Sequence, residues 1–137
     1  MYPFIKSIHS YFAWAALALI IIAIISTILT KNKESVSYKK WAFFGLMAVH
    51  IQLLIGLTLY FLSPFGLDNL SGDSMKDSFT RLLAIEHPFT NIVAIILITI
   101  GYSQSKKAEY GSKKILVFYT IGLILLLSRV PWSTWLS

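Results

Sequence analysis

The chain has 137 residues, of which 56% are hydrophobic and 13% charged, and its mean hydropathy is +0.70. So apolar a balance excludes a soluble domain of this length and points to an integral membrane protein; the lack of cysteine excludes disulfides, thiolate metal sites, covalent c-type haem attachment and a cysteine-held iron–sulfur cluster. Of the 12 basic residues behind the net charge of +6, eight are lysines in two short loops, which reads as a topology signal and not as a nucleic-acid surface.

Four apolar stretches, about 8–29, 41–62, 81–102 and 115–132, dominate the sequence. Each supplies about 20 residues, enough at about 1.5 Å per residue to cross roughly 30 Å of hydrocarbon. The pattern predicts an all-α membrane protein: a single domain, 1–137, folded as a four-transmembrane-helix up-down-up-down bundle. The connections are too short to hold a separate catalytic module.

The first span is longer than a signal-peptide core and lacks a strongly basic n-region and a convincing small-residue cleavage site, so it reads as retained. His9 lies near its start, with Ala13 and Ala16 four and seven positions on, a face of small side chains that leaves room for a flat group. A loop with Lys31, Lys33, Lys39 and Lys40 leads to the second span, where His50 falls nine residues after Trp41, about 13 to 14 Å from that end. Met47, Leu54 and Phe61 lie near the His50 face. The next connection, Ser63 to Thr80, carries Asp68, Asp73 and Asp77 against Lys76, with Pro64, Gly66 and Gly72 as helix breakers.

The third span carries His87, with Asn91 and Ala94 on the same face. Pro88 has no N–H, so the carbonyl of Ala84 is freed and could accept from an imidazole nitrogen. Glu86 points about 100° away from His87 and is free to pair with Arg81 or Arg129. The second lysine loop contains Lys106, Lys107, Lys113 and Lys114, and the fourth span closes on Arg129, Pro131 and Trp132. Lysine loops on the cytoplasmic side put both termini and the acidic connection outside, as in a multi-pass protein of the inner membrane with periplasmic termini. Tyr2, Phe4, Trp41, Tyr60, Phe61, Trp132 and Trp135 fall at the span ends as an interfacial belt.

Ionisable side chains are costly in hydrocarbon, and three of the four spans carry one histidine each. That set suggests iron ligation in a non-covalent haem b held between helices. His9 and His87 lie level near the outer face, because spans one and three run in the same direction; they are the expected axial pair. His50, somewhat deeper, is a substitute ligand or a quinone ligand. Unequal depths weigh against a compact zinc or copper centre. Arg81 and Arg129 sit at the same end and could hold haem propionates, while Gln52, Thr90 and Asn91 read as supporting donors or helix–helix contacts. The plainer alternatives are interhelical hydrogen bonds for the histidines and snorkelling for the arginines. No catalytic residue can be assigned.

The stretches His9-Ser10-Tyr11-Phe12-Ala13-Trp14, His50 to Phe61, Glu86-His87-Pro88, Ile98 to Lys107 and Arg129-Val130-Pro131-Trp132 together resemble a family of small bacterial four-helix membrane proteins labelled cytochrome b-like. The likeness covers nearly the whole chain. It implies a b-type haem protein with His9, His50 and His87 at the family's histidine positions, without saying which two bind iron. The family often has a basic residue before the tryptophan of its first motif, where this chain has Ala13. A weaker likeness, confined to Ile5-Lys6-Ser7-Ile8-His9, is to the small membrane protoporphyrinogen oxidases. The expected function is electron transfer with a quinol pool or a larger respiratory complex in the lipid bilayer. The rivals are a non-haem accessory subunit of a larger membrane complex and a small porphyrin or quinol oxidoreductase. Nucleic acid is not an expected partner, and self-association into a homo-oligomer stays open.

Overall fold

The computed structural model describes residues 1–29, 37–107 and 111–135. Lys31, Lys33 and Glu34 of the first lysine loop lie outside the described residues. The chain is an all-α four-helix bundle: α1 is Tyr2–Leu29, α2 Ser37–Leu62, α3 Ser78–Ser105 and α4 Gly111–Ser128. All four are long and apolar enough to cross a membrane. A single turn, α5, Trp132–Trp135, follows, and two 3-10 turns, Leu67–Asn69 and Ser74–Lys76, lie between α2 and α3.

Each helix packs along a seam that advances by alternating steps of mostly four and three residues. On α1 the buried positions are Ala16, Ile20, Ala23 and Thr27, and the same steps taken backwards reach Ala13 and His9. On α2 Tyr38, Ala42, Gly45 and Val49 are buried, and the seam runs on through Gln52, Gly56 and Tyr60. On α3 it passes from His87 and Asn91 to the buried Ala94, Ile98 and Gly101; on α4 it is Gly111, Ile115, Tyr119 and Gly122. This period suits helices crossing at about 20°. The seams are rich in Gly and Ala because lipid removes the hydrophobic drive between helices, leaving close contact as the main attraction. The opposite faces expose Ile21, Ile25, Ile28, Phe43, Phe44, Met47, Ile96, Ile121 and Ile124, an apolar surface suited to lipid.

Helices adjacent in sequence pack together, and α1 closes the ring against α4. The pairs α1/α3 and α2/α4 are therefore diagonal, and residues meeting across a diagonal meet in the bundle interior. One diagonal is bridged by Tyr119, whose hydroxyl donates to Ala42 O at 2.7 Å.

Local chemistry sets the ends of α3 and α4. Asp77 caps α3, its carboxylate accepting from the Thr80 hydroxyl at 2.6 Å and from the Thr80 backbone N–H at 2.9 Å; those bonds hold its carboxyl below the usual carboxylate range. α3 widens into a π turn over Leu82–Glu86, where the His87 N–H donates to Leu82 O. Pro88 follows, and a wider turn relieves the clash between its ring and the carbonyl four residues back. The fourth span, expected to reach Trp132, ends as a helix at Ser128: Pro131 disfavours helical geometry at Val130 and cannot donate to a carbonyl of the last turn. Beyond it α5 folds back, stacking Trp135 on Trp14 of α1 with ring centroids 4.5 Å apart.

Candidate functional site

His9 and His87 meet across the α1/α3 diagonal. Their ring centroids are 6.2 Å apart and their planes stand at 87°. Each lies seven to nine residues into a helix running in the same direction, so depth and seam position together bring them to one level of the bundle interior.

The two imidazoles are held in opposite ways. The end of α4 leaves the carbonyl of Arg129 without an intrahelical donor, and His87 Nδ1–H donates to it at 2.8 Å. In neutral His87 the lone pair is then on Nε2, within 3.3 Å of Asn91 Nδ2. His9 faces α2. Gln52 Nε2 lies 2.8 Å from the His9 carbonyl oxygen and 3.0 Å from His9 Nδ1. An amide oxygen in that place would oppose the carbonyl, so the amide nitrogen is there, donating to both. His9 Nδ1 is therefore an acceptor, and in the neutral ring the proton is on Nε2. Gly56, one turn beyond Gln52, gives the ring its room: a Cβ there would stand 3.2 Å from His9 Cε1.

Two buried acceptors flank the pair. Among the described residues no donor reaches Gln52 Oε1 or Asn91 Oδ1, and an unpaired buried carbonyl costs about 1–3 kcal/mol. Orphaned groups beside both histidines mark this as the polar centre of an otherwise apolar bundle.

The carbonyl of Ala84 is freed by Pro88 as the sequence predicts, but its partner is different. Tyr60 Oη donates to it at 2.8 Å, and the nearby imidazole of His87 is turned to Arg129. Gln52, Gly56 and Tyr60 thus form one stripe of α2 facing the histidine pair. By residue type the sequence marks Gln52 as a supporting donor and Tyr60 as an interfacial aromatic; the repeated four-residue step is the signal that puts them, with Gly56, on one face.

His50 lies elsewhere. Its Nδ1–H donates to Leu46 O at 2.8 Å, and Nε2 stands 3.4 Å from Thr99 Oγ1, whose own shorter bond is to Ile95 O at 2.7 Å. His50 is six residues from Gly56 along α2 and Thr99 twelve from His87 along α3, so both counts put it deeper by roughly 9 to 18 Å. The Met47, Leu54 and Phe61 wall expected near His50 is exposed at all three positions, on the lipid side of α2 and not within the bundle.

Glu86 pairs with both arginines at this end. Arg81 Nε lies 3.4 Å from Glu86 Oε2 and Arg129 Nε 4.0 Å from Oε1. Arg81 also donates to Met75 O at 2.9 Å and Arg129 to Ser128 O at 3.0 Å. The pairs are partly exposed, where each contributes only about 0–1 kcal/mol, and two guanidiniums against one carboxylate leave one positive charge in excess.

Among the described residues no group of three or more His, Asp or Glu side chains is arranged to hold a metal ion; the pairing here is of two imidazoles. No family model, curated protein or solved structure matches the chain.

Proposed function

We propose that the protein is a membrane b-type cytochrome whose non-covalent haem b takes His9 and His87 as axial ligands and exchanges electrons with a quinol or a larger respiratory complex. The observation that carries this reading is the pair of interior imidazoles with centroids 6.2 Å apart. Metal–imidazole bonds of about 2 Å would put the centroids of a linear two-histidine pair roughly 6 Å apart. His87 also has the support expected behind a metal-binding imidazole, an Nδ1–H held by a carbonyl. When bound, the haem supplies the one-electron chemistry. Arg81 and Arg129, with their excess positive charge, would receive the propionates, and Asn91 would release the His87 lone pair. His50, committed to Leu46 and Thr99, is outside this set. Protein purified from haem-replete cells is expected to yield haem b on acid-acetone extraction; a colourless chain that takes up no added hemin would overturn the reading.

The histidine pair lies at the end of the bundle opposite the lysine loops, which by charge belongs at the periplasmic face of the inner membrane. In this cysteine-free chain, an Asp73→Cys variant should be labelled by a membrane-impermeant thiol reagent in spheroplasts and Lys107→Cys should not. The reverse pattern would invert the topology.

A second reading, a non-haem accessory subunit, is favoured by one observation: all three histidines make hydrogen bonds within the chain. The haem extraction separates the two.

A further inference from the structure

Resting on the cytochrome reading, we propose that the Gln52 carboxamide is a positioning residue that makes the two axial ligands inequivalent, so that His87 binds haem first and His9 joins only when Gln52 moves. Gln52 Nε2 donates to His9 O and to Nδ1, which keeps the proton of His9 on Nε2, the nitrogen a ligand would use. His87 has the opposite arrangement, its proton on Nδ1 directed to Arg129 O, and among the described residues the Nε2 lone pair has the 3.3 Å contact from Asn91 as its hydrogen-bond partner. One histidine is preset to bind and the other is held in the wrong tautomer.

Joining the site requires His9 to lose its proton from Nε2 and gain one at Nδ1, with no change in the proton count of the ring. The Nδ1–H then needs an acceptor, and Gln52 Oε1, buried and without a donor among the described residues, can accept it once the carboxamide turns. The turn gives up both bonds from Nε2, to His9 O and to Nδ1, and gains the one that Oε1 accepts from the new Nδ1–H. Gly56 leaves the adjoining edge of the ring free of a side chain, so the exchange meets no bulk from α2. The amide that disfavours ligation before loading supports it afterwards.

The test has two arms. Long-range proton–nitrogen correlation on the unloaded protein labelled with 15N-histidine should find His9 protonated at Nε2 and His87 at Nδ1. Gln52→Met, of similar length but without donors, should release His9 into a mixture of tautomers. In the second arm, hemin added to unloaded wild-type protein should first give a high-spin spectrum and then convert to low spin, the conversion becoming on the order of tenfold faster in Gln52→Met. A wild-type His9 carrying its proton on Nδ1 would overturn the proposal, as would conversion at the same rate in both proteins; in either case haem binding, and with it the cytochrome reading, still stands. Failure of the wild type to take up hemin at all would overturn the ligation order together with the cytochrome reading.

Discussion

Replacing His87 with alanine is expected to abolish the low-spin haem spectrum, and His9→Ala to do the same, whereas His50→Ala should leave ligation intact. The expectation follows from position. His9 and His87 share the interior at one end of the bundle with rings 6.2 Å apart, and no other described imidazole lies in ring contact with either. Removing one ligand leaves a single imidazole, so any haem retained should be high-spin. The His50 bond to Leu46 O is local to α2, and interhelical polar contacts in membranes average only about 0.6 kcal/mol; its contact with Thr99 is too weak for its loss to unfold the bundle. The three variants can be compared by haem content and visible spectrum. Intact low-spin haem in His9→Ala with loss in His50→Ala would assign the ligands differently.

A large loss of stability is expected from filling the glycines between α3 and α4. A Cβ at Gly122 would lie 2.6 Å from Ile98 Cγ1 and 3.3 Å from Ala94 O, and one at Gly101 would collide with Phe118 Cβ, an atom fixed to its backbone. Leu at either position therefore has to push the helices apart, at a cost of about 1–3 kcal/mol. The better helix propensity of Leu returns about 0.8–1 kcal/mol, so the clash wins. Gly122 lies seven residues before Arg129, and its contact Ala94 seven after His87, so a displacement there should also loosen the His87–Arg129 bond two turns away. Gly122→Leu and Gly101→Leu should lower the unfolding midpoint in detergent, while Gly72→Ala, whose added Cβ meets nothing within 4 Å, should leave it unchanged.

Much of the fold is legible in the sequence because membrane helices must satisfy their own backbone and must be about 20 residues long. The ends are less so. The closure of α4 at Ser128 depends on Pro131, and the widening of α3 before His87 depends on the fit of Pro88 against the preceding turn. Of the candidate site, the common level of His9 and His87 follows from counting along two parallel spans. What counting along single spans misses is lateral. The face of α2 that meets the pair carries Gln52, Gly56 and Tyr60, about 200° to 280° around the helix from His50, and a polar residue one or two positions from a histidine can belong to a different neighbour. Glu86 shows the same limit: its sequence position leaves Arg81 and Arg129 equally available, and only the assembled bundle, with the end of α4 beside the π turn, brings it to both.

The central claim, that His9 and His87 together hold a haem within the bundle, is tested most directly by electron paramagnetic resonance of the oxidised, haem-loaded protein. Two imidazole ligands predict a low-spin ferric signal in the wild type, replaced by a high-spin signal in His9→Ala; a high-spin signal in the wild type itself would contradict the account.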